Sequence, residues 1–240
     1  MHNDFLSNLL YIINGRDKTP WANSLGLSDG TGHRLVKGQP PRFEVLRRLG
    51  IIEGINLDWL VCCRGAPYWM QRFYSDHEIA GRLKILLKDH PLSWVVFLVT
   101  DRVRNALVLR REDQFFLDDG DVIDFERAEI LAGPIGSETV ALLTSTSTGG
   151  LRCVETDPVT MESLLDGNLG GYRLTKPDGL LERWRPLDVR KEINIGKQKD
   201  IYAPEDETTL LAIFRGLDPD DRARLVAAAK AFEDLKRSES

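Results

Sequence analysis

The chain has 240 residues, of which 42% are apolar and 29% charged, with a net charge of −5. Those proportions are ordinary for a globular chain with room for one large or two small domains. They come with no run near the roughly 18 uncharged apolar residues that a bilayer span requires, the longest candidate being the strand-sized WVVFLVT at 94–100. The start, MHNDFLSNLL, lacks a basic region and carries Asp4, so no signal peptide is expected. Three cysteines, Cys62, Cys63 and Cys153, with no CxxC spacing, make a poor disulfide framework; reduced cytosolic thiols are expected. The charge is unevenly spread. Residues 1–70 hold eight Lys/Arg against six Asp/Glu, a net +2 that leaves −7 for the remainder. Such asymmetry suits a mildly basic head on an acidic body.

Residues 4–14 place Phe5, Leu9, Ile12 and Ile13 on one helical stripe, with Asp4 as cap and Gly15 as terminator. Thr19-Pro20 predicts an N-cap followed by proline at the first position of a second short helix, WANSLG. Ala22 and Gly26 stand four apart, and Leu25 and Leu27 flank the glycine. A small residue there permits a close helix crossing, and the glycine takes the turn. A third helix is predicted from an N-cap at Ser28 through Lys37, ended by Gly38 and anchored by Leu35. The pattern is that of a helix-turn-helix, although Gly32 stands where most such motifs have a branched apolar residue. Two other readings fit parts of it. Helix pairs with this spacing also serve as plain packing units. The glycines also suggest a phosphate loop, but neither GxxxxGK[ST] nor GxGxxG is satisfied.

PPRFEVLRRLGIIEG predicts a fourth helix with Phe43, Leu46, Leu49 and Ile52 facing the core. INLDWLVCCRGAPY predicts a fifth, capped by Asn56 and stopped by Gly65 and Pro67. The succession of LGLS-x-GT-x-HR-x-x-KG, GINLDWL and RG-x-PY over residues 4–68 resembles the helix-turn-helix domain of bacteriophage CI-type repressors. More loosely, the whole chain resembles the c repressors of Mu-like transposable phages of Pseudomonas. The resemblance implies a sequence-specific transcriptional repressor of the lysogeny type, acting on double-stranded operator DNA in the bacterial cytoplasm, at the nucleoid. By position, the reading helix offers Ser28, Asp29, Thr31, His33, Arg34 and Lys37. Arg34 could fork onto a guanine edge, and Thr31 could touch a thymine methyl or a phosphate. Lys37 suits a phosphate, and Asp29 favours the helix dipole ahead of any base. Lys18, Thr19 and Arg42, at helix starts, could clamp the backbone. Arg47 and Arg48 read as surface charges.

Beyond Tyr68 a connector is predicted with one helix, capped by Ser75 and Glu78 and facing inward through Ile79, Leu83, Leu86 and Leu87. From 93 the texture is strand-like: SWVVFLVTD, NALVLRR, QFFLDDGDVIDFERAEILAG, TVALLTSTST and LRCVETD, with DDG at 118–120 as a hairpin signal. Ala132-Gly133, Ser163 and Lys191 invite comparison with self-cleaving serine–lysine repressors. The sequence around Ser163, TMESL, does not match that family, and no catalysis is expected. The histidines at 2, 33, 77 and 90 have no ligand spacing, and Asp118, Asp119, Asp121 and Asp124 do not form a calcium loop. No metal or cofactor is expected.

The prediction is therefore an α+β chain: an all-α helix-turn-helix head over 1–68, a helical connector over 69–92 and a mostly β regulatory or oligomerisation domain over 93–190. A linker over 191–207 and a helical tail over 208–240 follow. The tail has apolar faces running from Leu210 to Leu235, suited to self-association, so two heads would read an inverted repeat. An antirepressor protein is the kind of partner that could relieve repression. The alternatives are a self-processing regulator and a module whose helical head binds another protein.

Overall fold

The computed structural model describes residues 4–146 and 148–187, all within one compact unit of the chain. Lys191, the expected linker 191–207 and the apolar faces from Leu210 to Leu235 lie outside the described residues.

Five helices form the head: α1 (Asp4–Ile13), α2 (Lys18–Ser24), α3 (Asp29–Val36), α4 (Phe43–Ile52) and α5 (Leu57–Cys62). Their apolar faces meet in one core that includes Leu9, Ile12, Trp21, Leu25, Leu35, Leu49 and Leu60. α2 starts earlier than Thr19-Pro20 suggests: Asp17 is its N-cap, and Thr19 and Pro20 are inside the first turn. Proline is tolerated there because first-turn N–H groups have no partner within the helix. The expected face of α4 is corrected at one end. Phe43 is 75% exposed, and Val45 is buried beside Leu49 in its place.

The head encloses a charge. Glu53, at the C-cap of α4, is 6% exposed. Arg16 reaches its two carboxylate oxygens at 2.8 and 2.9 Å, and the Trp21 indole N–H donates to Oε1 at 2.7 Å. The Arg16 side chain also donates to the carbonyls of Ile12 and Ile13, which have no partner inside α1.

The rest of the unit is built on a mixed six-stranded sheet. Its strands are β1 (Gln71–Arg72), β2 (Val95–Thr100), β3 (Asn105–Phe116), β4 (Val122–Ala132), β5 (Gly150–Glu155) and β6 (Arg185–Pro186), in the order β1-β4-β3-β2-β5-β6. β2 is central and apolar at nearly every position, because alternate residues enter two different cores. Val96 and Leu98 join Leu107, Leu109 and Leu131 under α6 (Asp76–Leu87) and α7 (Ser137–Ser145). Phe97 and Val99 join Ala106, Val108 and Ile130 under α8 (Pro158–Leu165) and α9 (Gly171–Thr175). The described part of the chain is thus mixed α/β, with helices on both faces of the sheet.

The expected cap of α6 is present: Ser75 accepts from the Glu78 N–H, and Glu78 reaches back to the Ser75 N–H. TVALLTSTST departs from its strand-like texture, since Ser137–Ser145 is helix α7. The reason is tertiary. The Asp76 carboxylate, on α6, accepts from the N–H groups of Gly136, Glu138 and Thr139 at 2.8, 2.8 and 3.2 Å. It satisfies the open donors that start α7. Burial pushes the Asp76 carboxyl up, but hydrogen bonds from Thr139, Gly136 and Glu138 outweigh it and hold the carboxyl below its ordinary range.

Denaturant titrations test both the Asp76 cap and the Arg16–Glu53 pair. Asp76→Ala lowers stability by about 1–2 kcal/mol, the cost of a lost helix cap. The Asp76 contribution is complete above the ordinary carboxylate pKa and disappears as pH falls through the lower folded value. Asp76→Asn therefore removes part of the acid sensitivity of folding. Arg16→Leu leaves Glu53 buried without its cation and costs about 3–5 kcal/mol, most of which Arg16→Leu/Glu53→Leu recovers.

Candidate functional site

α3 crosses α2 at two small residues. A Cβ built on Gly32 would lie 2.8 Å from the Cβ of Ala22, closer than real Cβ contacts allow. Gly32 is therefore what permits this crossing with Ala22 opposite, which explains the departure from a branched residue. Gly32 and Leu35 are buried, so the opposite side of α3 must face outward. Asp29, Gly30, His33 and Arg34 are exposed there, as are Ser28 before the helix and Lys37 at its C-cap; Thr31 is half-buried.

The structure gathers some of the expected residues. Lys18 and Thr19, in the first turn of α2, share a shallow groove with Asp29 and His33 on α3. Asn23 lines the same groove. The sequence reading overlooked it, although it stands one turn after Thr19 on the same face of α2. Arg34 lies along the outside of α3, with Nε donating to the Gly30 carbonyl at 3.3 Å. Ser28 takes the N-cap position, but its hydroxyl bonds Thr31 Oγ1 at 3.0 Å and makes no cap to a backbone N–H. Arg42, the N-cap position of α4, is exposed and does not line the groove.

Among the described residues, the body grips the head at the turn between α2 and α3 and along a seam with the α8–α9 region, and not at the outer face of α3. At the turn, Gly26 has φ +63°, and a Cβ there would lie 2.8 Å from Ile123 and 3.1 Å from Leu117, at the tip of the β3–β4 hairpin. Arg48 is no free surface charge: it is half-buried and donates to the Gly26 carbonyl at 2.8 Å. Arg47 remains exposed, with its guanidinium 4.9 Å from the centre of the Phe115 ring. Along the seam, Tyr11 donates to the Asn168 carbonyl at 2.9 Å, Arg173 to Asn14 at 2.9 Å, and Arg16 stacks 4.4 Å from the Tyr172 ring centre. Tyr68 is buried in this seam against Gly170, and burial, then the nearby Glu53 carboxylate, push its hydroxyl pKa up.

The residues suggestive of self-cleavage are placed differently. Ala132 and Gly133 are buried at the end of β4, and the Ala132 carbonyl accepts the Phe73 N–H at 2.8 Å. Ser163 is a half-buried residue of α8. Among the described residues, no group of three or more His, Cys, Asp or Glu side chains is arranged to hold a metal ion. No helix among them is long and apolar enough to cross a membrane.

Comparison of the chain with protein-family models, with curated proteins and with solved structures gave no match in any of the three. Any functional reading therefore stands on the residues and their geometry.

The two glycines of α3 should respond oppositely to alanine. Gly30 has open space around a built Cβ, so Gly30→Ala should stabilise by about 0.5–1 kcal/mol through helix propensity. Gly32→Ala must push α2 and α3 apart and should destabilise by about 1–3 kcal/mol. Thermal unfolding of both variants checks this, and equal effects would show that the crossing is not close.

Proposed function

We propose that this protein is a sequence-specific DNA-binding transcriptional repressor of the phage-lysogeny type, with α2 and α3 as a helix-turn-helix and α3 as its reading helix. One observation carries the proposal. α3 buries Gly32 and Leu35 and leaves His33, Arg34 and the C-cap Lys37 exposed on a face that the described part of the body does not cover. A helix with small residues near its start comes close to base edges in the major groove, and its first N–H groups favour phosphate. Arg34 supplies a fork for guanine, and Lys37 and Lys18 supply charge for phosphates.

Occlusion of a promoter needs no chemistry. We favour binding over self-processing because the Ala132-Gly133 bond is buried and its carbonyl is hydrogen-bonded to a neighbouring chain segment. A susceptible bond has to reach a nucleophile. Residues 208–240 serve in this proposal as the self-association element that brings two heads onto an inverted repeat, and the deletion of that segment tests it by light scattering.

Footprinting and gel shifts on DNA flanking the protein's own gene test the main claim. Retention should be confined to particular sites and should fall steeply between 50 and 200 mM salt, by about 10³-fold or more if six or more phosphates are contacted. Arg34→Ala should cost about 1–3 kcal/mol on the preferred site with its unfolding midpoint unchanged, and should relax the preference at one base pair. Lys37→Ala should weaken all DNA alike and lessen the salt dependence. Equal retention of every fragment, or no effect of Arg34→Ala, removes the proposal in favour of a head that binds protein.

A further inference from the structure

Cys62 and Cys63 end α5 side by side, and both are exposed; Cys153 is buried in the sheet core. Cys63 takes the left-handed conformation, φ 56° and ψ 32°, that closes the helix. Its sulfur accepts from the Asn8 side-chain amide at 3.3 Å. The same amide donates to the carbonyls of Trp59 at 2.9 Å and Leu60 at 3.3 Å. Asn8 thus pins α1 to the open end of α5, with the Cys63 sulfur as one of its three acceptors. Two adjacent accessible thiols differ chemically from one. After the first sulfur binds a soft centre, the second is held nearby at high effective concentration.

We propose that Cys62 and Cys63 form a dithiol site that captures a trivalent thiophilic centre of the arsenic(III) type through both sulfurs at once. With an organoarsenic oxide, two arsenic–sulfur bonds form and the arsenic–oxygen bond breaks. Both thiol protons leave with the oxygen as water, and the arsenic remains trivalent. The captured sulfur no longer serves Asn8, so occupation of the site loosens the join between α1 and α5. The site concerns thiol chemistry at the far end of α5 and does not depend on DNA binding.

The test uses the reduced full-length chain and phenylarsine oxide. Ellman's reagent should find two reactive thiols in the folded protein, Cys62 and Cys63. One equivalent of phenylarsine oxide should protect both. Excess 2-mercaptoethanol should fail to restore them, and 2,3-dimercaptopropanol should succeed. Cys62→Ser and Cys63→Ser each leave one reactive thiol, whose adduct 2-mercaptoethanol strips, since exchange with a single sulfur meets no chelate. If 2-mercaptoethanol strips the wild-type adduct as readily as it strips those of the single variants, the dithiol site is overturned. Hydrogen exchange reads the coupling. The amides of α1 should exchange several-fold faster in the adduct, and Cys63→Ala without arsenical should show the same change. Unaltered α1 exchange in the adduct overturns the link to Asn8.

Discussion

The head is organised around a carboxylate taken out of water. Glu53 closes α4, and the groups that answer its charge come from elsewhere: Arg16 from the segment after α1, and Trp21 from α2. A buried ion pair adds little net stability against an apolar substitute, but breaking one is expensive. Its effect here is positional. Arg16 is committed at once to Glu53, to the last carbonyls of α1 and to the face of Tyr172. α1, α2 and α4 cannot shift independently without leaving one of these groups unsatisfied. α3 packs on α2, so the orientation of its exposed face descends from this cluster.

The placement of α3 depends next on two glycines used for different reasons. Gly32 removes bulk where α3 meets Ala22. Gly26 supplies the left-handed turn, and its missing side chain is the space occupied by Ile123 and Leu117 from the hairpin. Arg48 completes the grip by donating to the Gly26 carbonyl. The candidate site therefore stands on an inner helix packed beneath it and on a turn held from outside by the body. Such support on both sides suits a surface that has to present side chains in fixed register. It also means that a change in the hairpin reaches α3 through the turn.

Much of the local structure was legible because its causes are local. Asn56 caps α5 and Ser75 with Glu78 caps α6, as short-range hydrogen-bonding rules require. The glycine-containing turn at 118–120 joins β3 to β4, and Gly38 follows α3 with φ +79°. The misreadings have causes far away in the chain. TVALLTSTST has strand composition, but Asp76, some sixty residues earlier, caps it as a helix. Arg48 reads as a surface charge because nothing near it in sequence shows that a carbonyl of the α2–α3 turn lies within its reach.

By itself the sequence determined which segments of the first ninety or so residues coil and where most of them stop, and that a small, mildly basic helical head precedes a more acidic, strand-bearing region; the helices α7, α8 and α9 of that region were not legible in it. Those properties arise from periodicity, capping and charge within a few residues of one another. Only the tertiary structure decided that helices cover both faces of the sheet, that the hairpin seats itself under Gly26, and that Gly32 is a packing residue. Each depends on which surfaces meet across ten or more residues of chain, which no local pattern specifies.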